Sequence, residues 1–255
     1  MLFTEIIKKE FQEWNENGNI EEALKLNEKV GSEYFDVKNP HFFTGDLNSP
    51  LVLVHLNPKR SKDFYNHLNT FNNYNDYLNN YLHFGTNKYG PLSKRDHKSP
   101  FDHKQIRFLK PLGILPFKEG DKYHNLVTVI DNKLQIELVP YGSPEFNFAK
   151  IGTENLIPFV DRILVHLLAQ KRDYIIFCGK VFIPLLQPYI IQEKVHSFKL
   201  LKKDGKSTVH DFHVISIKLK YDDKDITAVI APQFAKQGYP VSQYGEMIKK
   251  YYGIF

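Results

Sequence analysis

Residues 50–64 read PLVLVHLNPKRSKDF, and this stretch decides the fold. The unbroken run Leu51-Val52-Leu53-Val54 is too short for a surface helix and rich in strand formers. It predicts a strand covered on both faces, as in parallel sheets. The run then breaks into Asn57-Pro58 and a basic cluster, Lys59, Arg60 and Lys62. A polar, positively charged loop at the carboxyl end of a buried strand is where open α/β sheets place their ligand sites.

Three further apolar runs share this form. Leu134–Val139, Tyr174–Phe177 and Ile226–Ile230 leave respectively into Pro140-Tyr141-Gly142-Ser143-Pro144, Cys178-Gly179-Lys180 and Ala231-Pro232-Gln233-Phe234. Helical spacing fills much of the rest. Phe3, Ile6, Ile7, Phe11 and Trp14 form one stripe, stopped by Asn17-Gly18-Asn19, and a second short helix spans Ile20–Val30. Phe64, Leu68, Phe71, Tyr74, Leu78 and Tyr81 form another, and 153–170 a third, with Thr153 as its expected N-cap. Shorter helices are predicted over 103–109, after Lys180, and over 243–252. Leu126–Ile130 reads as a short strand, Phe42 and Phe43 as an edge strand, and 196–201 with 212–220 as a strand pair. Apolar strands separated mostly by helices predict an α/β fold with helices on both faces of the sheet. The expected architecture is a three-layer α/β/α domain around a central, mainly four-stranded parallel sheet. It spans 1–255 as one domain, with 1–45 a helical N-terminal extension and 46–255 the core.

Composition narrows the class. A chain of 255 residues with ordinary apolar and charged fractions can bury a substantial single core. No apolar run approaches the roughly 20 residues that span a bilayer, so no membrane partner is expected. Acidic residues in the helical N-terminus argue against a signal peptide. A single cysteine, Cys178, excludes an internal disulfide framework and points to a reducing, cytoplasmic setting. The net charge of +5 tolerates a nucleic-acid partner without requiring one.

Side by side, the four strand ends LNPKRSKDF, ELVPYGSPEFN, IIFCGK and VIAPQFAKQGY resemble the uracil-DNA glycosylase superfamily, in particular its mismatch-specific and single-strand-selective branches. In those branches a first strand ends in an Asn-Pro-Gly loop that holds the hydrolytic water. Asn57-Pro58 matches its first two residues, and Lys59 stands in place of the glycine. A loop after the last strand, usually His-Pro-Ser, supplies a charge-stabilising histidine. Here it is Ala231-Pro232-Gln233, so the proline matches and the histidine does not. The resemblance runs over residues 45–250.

It implies a DNA-binding N-glycosidic hydrolase with no organic cofactor. Asn57 would orient the water through its side-chain carbonyl, and Gln233 would hydrogen-bond to the leaving base. Pro58, Tyr141 and Phe146 would line or stack on the flipped base. Phe234 and Tyr239 would wedge into a duplex, and Lys59, Arg60, Lys62 and Lys236 would contact phosphates. Glu137 and Asp63 are both able to activate a water.

Two alternatives stay open: a non-catalytic nucleic-acid or protein-interaction module on the same fold, and a hydrolase of nucleosides or nucleotides. The residues exclude other chemistries more firmly. The sequence has no GxGxxG, no GxxxxGK[ST] and no GxSxG. His210 and His213 would fall on opposite faces of a strand. The loop residues Asp96, His97, Asp102 and His103 have no zinc-like spacing, so no metal is expected. Cys178 reads as a buried structural thiol.

Overall fold

A computed structural model describes residues 3–31, 33–37, 40–58, 71, 73–93, 99–202, 204–209, 211–233 and 240–255. Lys59, Arg60, Lys62, Asp63, Phe234, Lys236 and Tyr239 lie outside the described residues, as do Asp96, His97 and His210. The chain runs α1 (Phe3–Asn17), α2 (Glu21–Val30), β1 (Phe43–Gly45), β2 (Leu51–His55), α3 (Tyr74–Leu82), α4 (Phe84–Tyr89) and α5 (Pro100–Leu109). It continues with α6 (Lys122–Asp131), β3 (Leu134–Glu137), α7 (Phe148–Ile151), α8 (Thr153–Leu168), β4 (Tyr174–Cys178) and α9 (Phe182–Leu186). β5 (Ile190–Phe198), β6 (Phe212–Tyr221), β7 (Lys224–Ala231) and α10 (Val241–Tyr251) close it.

The strands form one seven-stranded sheet in the order β1-β3-β2-β4-β7-β6-β5. It is larger than the mainly four-stranded sheet expected, and mixed. β2 pairs in parallel with β3 and with β4, and β4 pairs in parallel with β7. β1 adds antiparallel to β3, and β6 and β5 add antiparallel beyond β7. Thus the carboxyl ends of β3, β2, β4 and β7 sit side by side.

β2 explains why its sequence lacks alternation. All five of its residues are buried, and successive side chains enter different cores. Val52 and Val54 join Phe3, Ile7 and Phe11 of α1 and Leu156, Val160 and Ile163 of α8. Leu51 and Leu53 join Leu126 and Val129 of α6 and Tyr244 and Ile248 of α10. A period of two with both faces covered produces the continuous apolar run. Each buried Leu or Val contributes about 2 kcal/mol of transfer free energy.

Three expectations change here. The N-terminal helices are not an appendage: Phe3, Ile7, Phe11, Ile20, Ala23, Leu26 and Val30 are buried in the same core as the sheet, and β1 pairs with β3 within the sheet. Leu126–Ile130 is helical, not a strand. It belongs to α6, whose first turn is capped by Asp121 accepting from His124 N at 2.9 Å. That local cap outweighs the strand propensity of Val127, Val129 and Ile130. The N-cap of α8 is Gly152, with Thr153 already inside the helix.

α10 lies against α5 at one close point. A Cβ on Gly245 would stand 2.1 Å from the Phe108 carbonyl oxygen, so only glycine allows the two backbones to meet there. Among the described residues no helix is long and apolar enough to cross a membrane.

Candidate functional site at the carboxyl ends of the parallel strands

Asn57 leaves β2 two residues past His55 and is tied across the strand ends. Its Nδ2 donates to the carbonyls of Pro58 (3.1 Å) and Tyr141 (3.2 Å) and to Ser143 Oγ (2.8 Å). Backbone bonds continue the pairing of β2 with β3 into this region. Leu138 N donates to His55 O at 2.8 Å, Val139 N to Leu56 O at 2.9 Å, and Ser143 N to Pro58 O at 3.1 Å. Ser143 Oγ in turn donates to Glu145 O at 2.5 Å. The Asn57 amide nitrogen is therefore engaged, and among the described residues its Oδ1 receives no hydrogen bond. Asn57 and Pro58 are both half-buried.

Gln233 follows the end of β7. Its Cγ lies 3.4 Å from where a Cβ on Gly179 would be, so Gly179, at φ +144°, makes room for it past the end of β4. β4 separates β2 from β7, which spaces the two strand ends by about 10 Å. Asn57 and Gln233 thus flank the end of β4 without touching.

Tyr141 does not serve as expected. Its side chain is fully buried, its ring is edge-on to Phe159, and its hydroxyl lies between Glu10 Oε2 (2.8 Å) and Glu22 Oε2 (2.7 Å), with one proton to share between them. A base cannot stack on it in this arrangement. Phe146 is half-buried and packs against the same core.

A second feature lies on the face of the sheet under α5. Lys133, Gln135 and Glu137 alternate with Leu134, Ile136 and Leu138, a pattern that normally marks a strand with one wet face. Here both faces are covered: Lys133 is 0%, Gln135 9% and Glu137 6% exposed. The three polar side chains form a chain. Lys133 Nζ donates to Gln135 Oε1 at 3.1 Å, and Gln135 Nε2 donates to Glu137 Oε1 at 2.7 Å. Glu137 Oε2 has no hydrogen-bond partner among the described residues. In register, Glu137 stands opposite His55.

Helices α4 and α5 add to this face. The Asp102 carboxylate accepts from Lys88 Nζ at 2.7 Å and from the Tyr89 hydroxyl. Both partners belong to α4, so Asp102 ties α5 to that helix. Gln105, one turn on, is buried, with no partner for its Oε1 among the described residues. Phe101 reaches the His55 ring, 5.6 Å between centroids.

Burial sets the protonation here. It raises the Glu137 carboxyl to about 7, although Gln135 and Lys133 pull the other way. It lowers Lys133 to about 8 against the attraction of Asp102 and Glu137. It holds His55 near 3, with Lys133 adding repulsion, so the imidazole is neutral. Cys178 is buried and its thiol is pushed up by desolvation, an inert group at the end of β4.

Sequence reasoning missed Ser143, His55, Gln105 and the Lys133–Gln135–Glu137 chain as a set. The alternation in KLQIEL was visible, but only the helices above it turn an apparent wet face into a buried polar one. His213, near the start of β6 and level with the carboxyl end of β7, has its Nδ1 3.0 Å from Ser197 Oγ. Among the described residues no group of three or more His, Cys, Asp or Glu side chains is arranged to hold a metal ion. An open depression lined by Arg107, Lys110, Pro111, Ser242, Glu246 and Lys249 lies at α5 and α10 and holds none of these polar groups.

No protein-family model matches the chain, and no curated protein matches it by sequence.

Proposed function

We propose that this is a three-layer α/β/α protein that binds nucleic acid and hydrolyses a base–sugar bond at the carboxyl ends of β3, β2, β4 and β7. The observation that carries the reading is the state of Asn57. Its nitrogen is held by Pro58, Tyr141 and Ser143, which fixes the side chain and leaves the carbonyl oxygen as an acceptor. A fixed acceptor is what orienting a water toward a sugar carbon requires, because the oxygen need not reorganise as positive charge develops on the sugar. Gln233, whose side chain lies against Gly179 at the β4 end, would hydrogen-bond to the departing base. Its neutral amide stabilises developing negative charge less than a histidine would, so a slow enzyme or one acting on a better leaving group is favoured.

The test has two stages. Single- and double-stranded oligonucleotides are titrated at two salt concentrations, followed by a cleavage screen over several altered bases. Salt-sensitive binding with excision of a base, lost in Asn57→Ala, is the expected result. Binding without excision would leave a nucleic-acid-binding module. Absence of binding would overturn both and leave a hydrolase of free nucleosides or nucleotides.

A further inference from the structure

We propose that Glu137 Oε2 reads an N–H donor on the ligand, so that the site prefers a base carrying an exocyclic amino group over one carrying a carbonyl there. This rests on the base-binding reading above and names the substrate class within it.

Glu137 is 6% exposed, its Oε1 accepts from Gln135, and its Oε2 meets no donor among the described residues. A buried carboxylate oxygen without a donor is expensive, and such atoms in native proteins usually await something. The nearby donors are otherwise directed. Lys133 Nζ bonds Gln135, and Lys88 Nζ and the Tyr89 hydroxyl bond Asp102.

The position suits a ligand. Glu137 ends β3, is paired with His55, and stands beside the strand end that carries Asn57. His55 is kept neutral, and Lys133 hydrogen-bonds to Gln135, so among the described residues no cation donates directly to Oε2. Gln105, on the helix that covers this face, is also buried with an Oε1 that has no partner among the described residues. An acceptor lacking a donor selects a ligand edge that carries an N–H. A carbonyl edge would face the carboxylate oxygen lone pair to lone pair, and burial keeps water from bridging the mismatch.

A matched pair isolates the contact. 1-Methylcytosine and 1-methyluracil differ in the amino or oxo group and the adjacent ring nitrogen. Their binding to the full chain is measured by NMR titration at pH 8. Wild type is expected to favour 1-methylcytosine about tenfold, the worth of one charge-assisted hydrogen bond. In Glu137→Gln, Gln135 Nε2 holds the new amide oxygen where Oε1 was. The amide nitrogen then occupies the Oε2 position, and the preference should reverse. If that variant does not fold, wild type at pH 5.5 serves, because protonated Glu137 then donates and the tenfold preference should vanish. Equal binding of the two bases at pH 8, no binding of either, or a preference untouched by both changes would overturn the proposal. Oligonucleotide binding and excision with no such preference would sink this inference and leave the proposed function. A clear amino preference without oligonucleotide binding would do the reverse.

Discussion

Arg162 on α8 reaches Glu10 on α1 at 3.1 Å, although 152 residues separate them in sequence. The same guanidinium holds Glu22 of α2 at 2.9 Å, and the Tyr141 hydroxyl lies within hydrogen-bond distance of both carboxylates. This knot fastens the first two helices to the body of the domain, next to the loop that carries Ser143. Burial and the neighbouring Glu22 raise the Glu10 carboxyl, and Arg162 opposes them. Removing the cation leaves two carboxylates crowded together in a poorly solvated place. Arg162→Met should therefore cost about 3–5 kcal/mol in denaturant unfolding, and Tyr141→Phe about 1–3 kcal/mol. A loss below 1 kcal/mol for Arg162→Met would mean that the carboxylates find other partners.

An exposed helical glycine changed to alanine usually gains about 1 kcal/mol. Gly245 should show the opposite sign. Its added Cβ would meet the Phe108 carbonyl oxygen at 2.1 Å, and that oxygen belongs to a helix backbone that cannot rotate away. Gly245→Ala is expected to destabilise the protein by about 1–3 kcal/mol, seen as a lower melting temperature. An unchanged or raised Tm would show that α10 and α5 are not seated as described.

The raised Glu137 carboxyl has a definite linkage sign. Its folded value of about 7 exceeds the ordinary 4.5, so the folded protein binds the extra proton between those values. Stability from this group is fully present below pH 4.5 and is lost as pH rises through 7. Glu137→Gln removes the slope. Between pH 4.5 and 7.5 the stability difference should move in the variant's favour by on the order of 3 kcal/mol. A constant difference across that range would refute the assignment.

His166 slopes the other way. It stacks on Phe3 with ring centroids 4.3 Å apart, and burial next to Arg172 lowers it to about 4. Its stability contribution is present above pH 6.5 and lost as pH falls toward 4. His166→Leu should accordingly gain on wild type by on the order of 2 kcal/mol between pH 6.5 and 5. Because Glu137 and His166 titrate with opposite signs, Glu137→Gln and His166→Leu should change the slope of stability against pH in opposite directions.

Much of the sheet was legible in the chain. The four apolar runs are β2, β3, β4 and β7, the middle strands, because residues buried on both faces leave an unmixed apolar signature. The flanking strands were fainter. β1 is three residues long, and most of β5 is exposed. The site was less legible. Asn57 and Gln233 do flank one strand end, but Tyr141 looked like a loop aromatic because nothing local announces that Glu10, Glu22 and Arg162 will close over it. The burial of Glu137 likewise depends on covering helices from distant stretches of the chain.

The middle of the sheet also sets an order of assembly. Leu51 pairs with Tyr174, and Val52 with Leu134, whereas β6 and β7 are joined by the two-residue turn Asp222-Asp223, both at positive φ. The hairpin closes locally and quickly. The parallel strands must wait for partners far down the chain. During synthesis Leu51–Val54 therefore leaves the ribosome as a sticky segment with neither neighbour yet made. This predicts that yield in cells will respond to chaperone supply and growth temperature more than the stability of the finished protein would suggest.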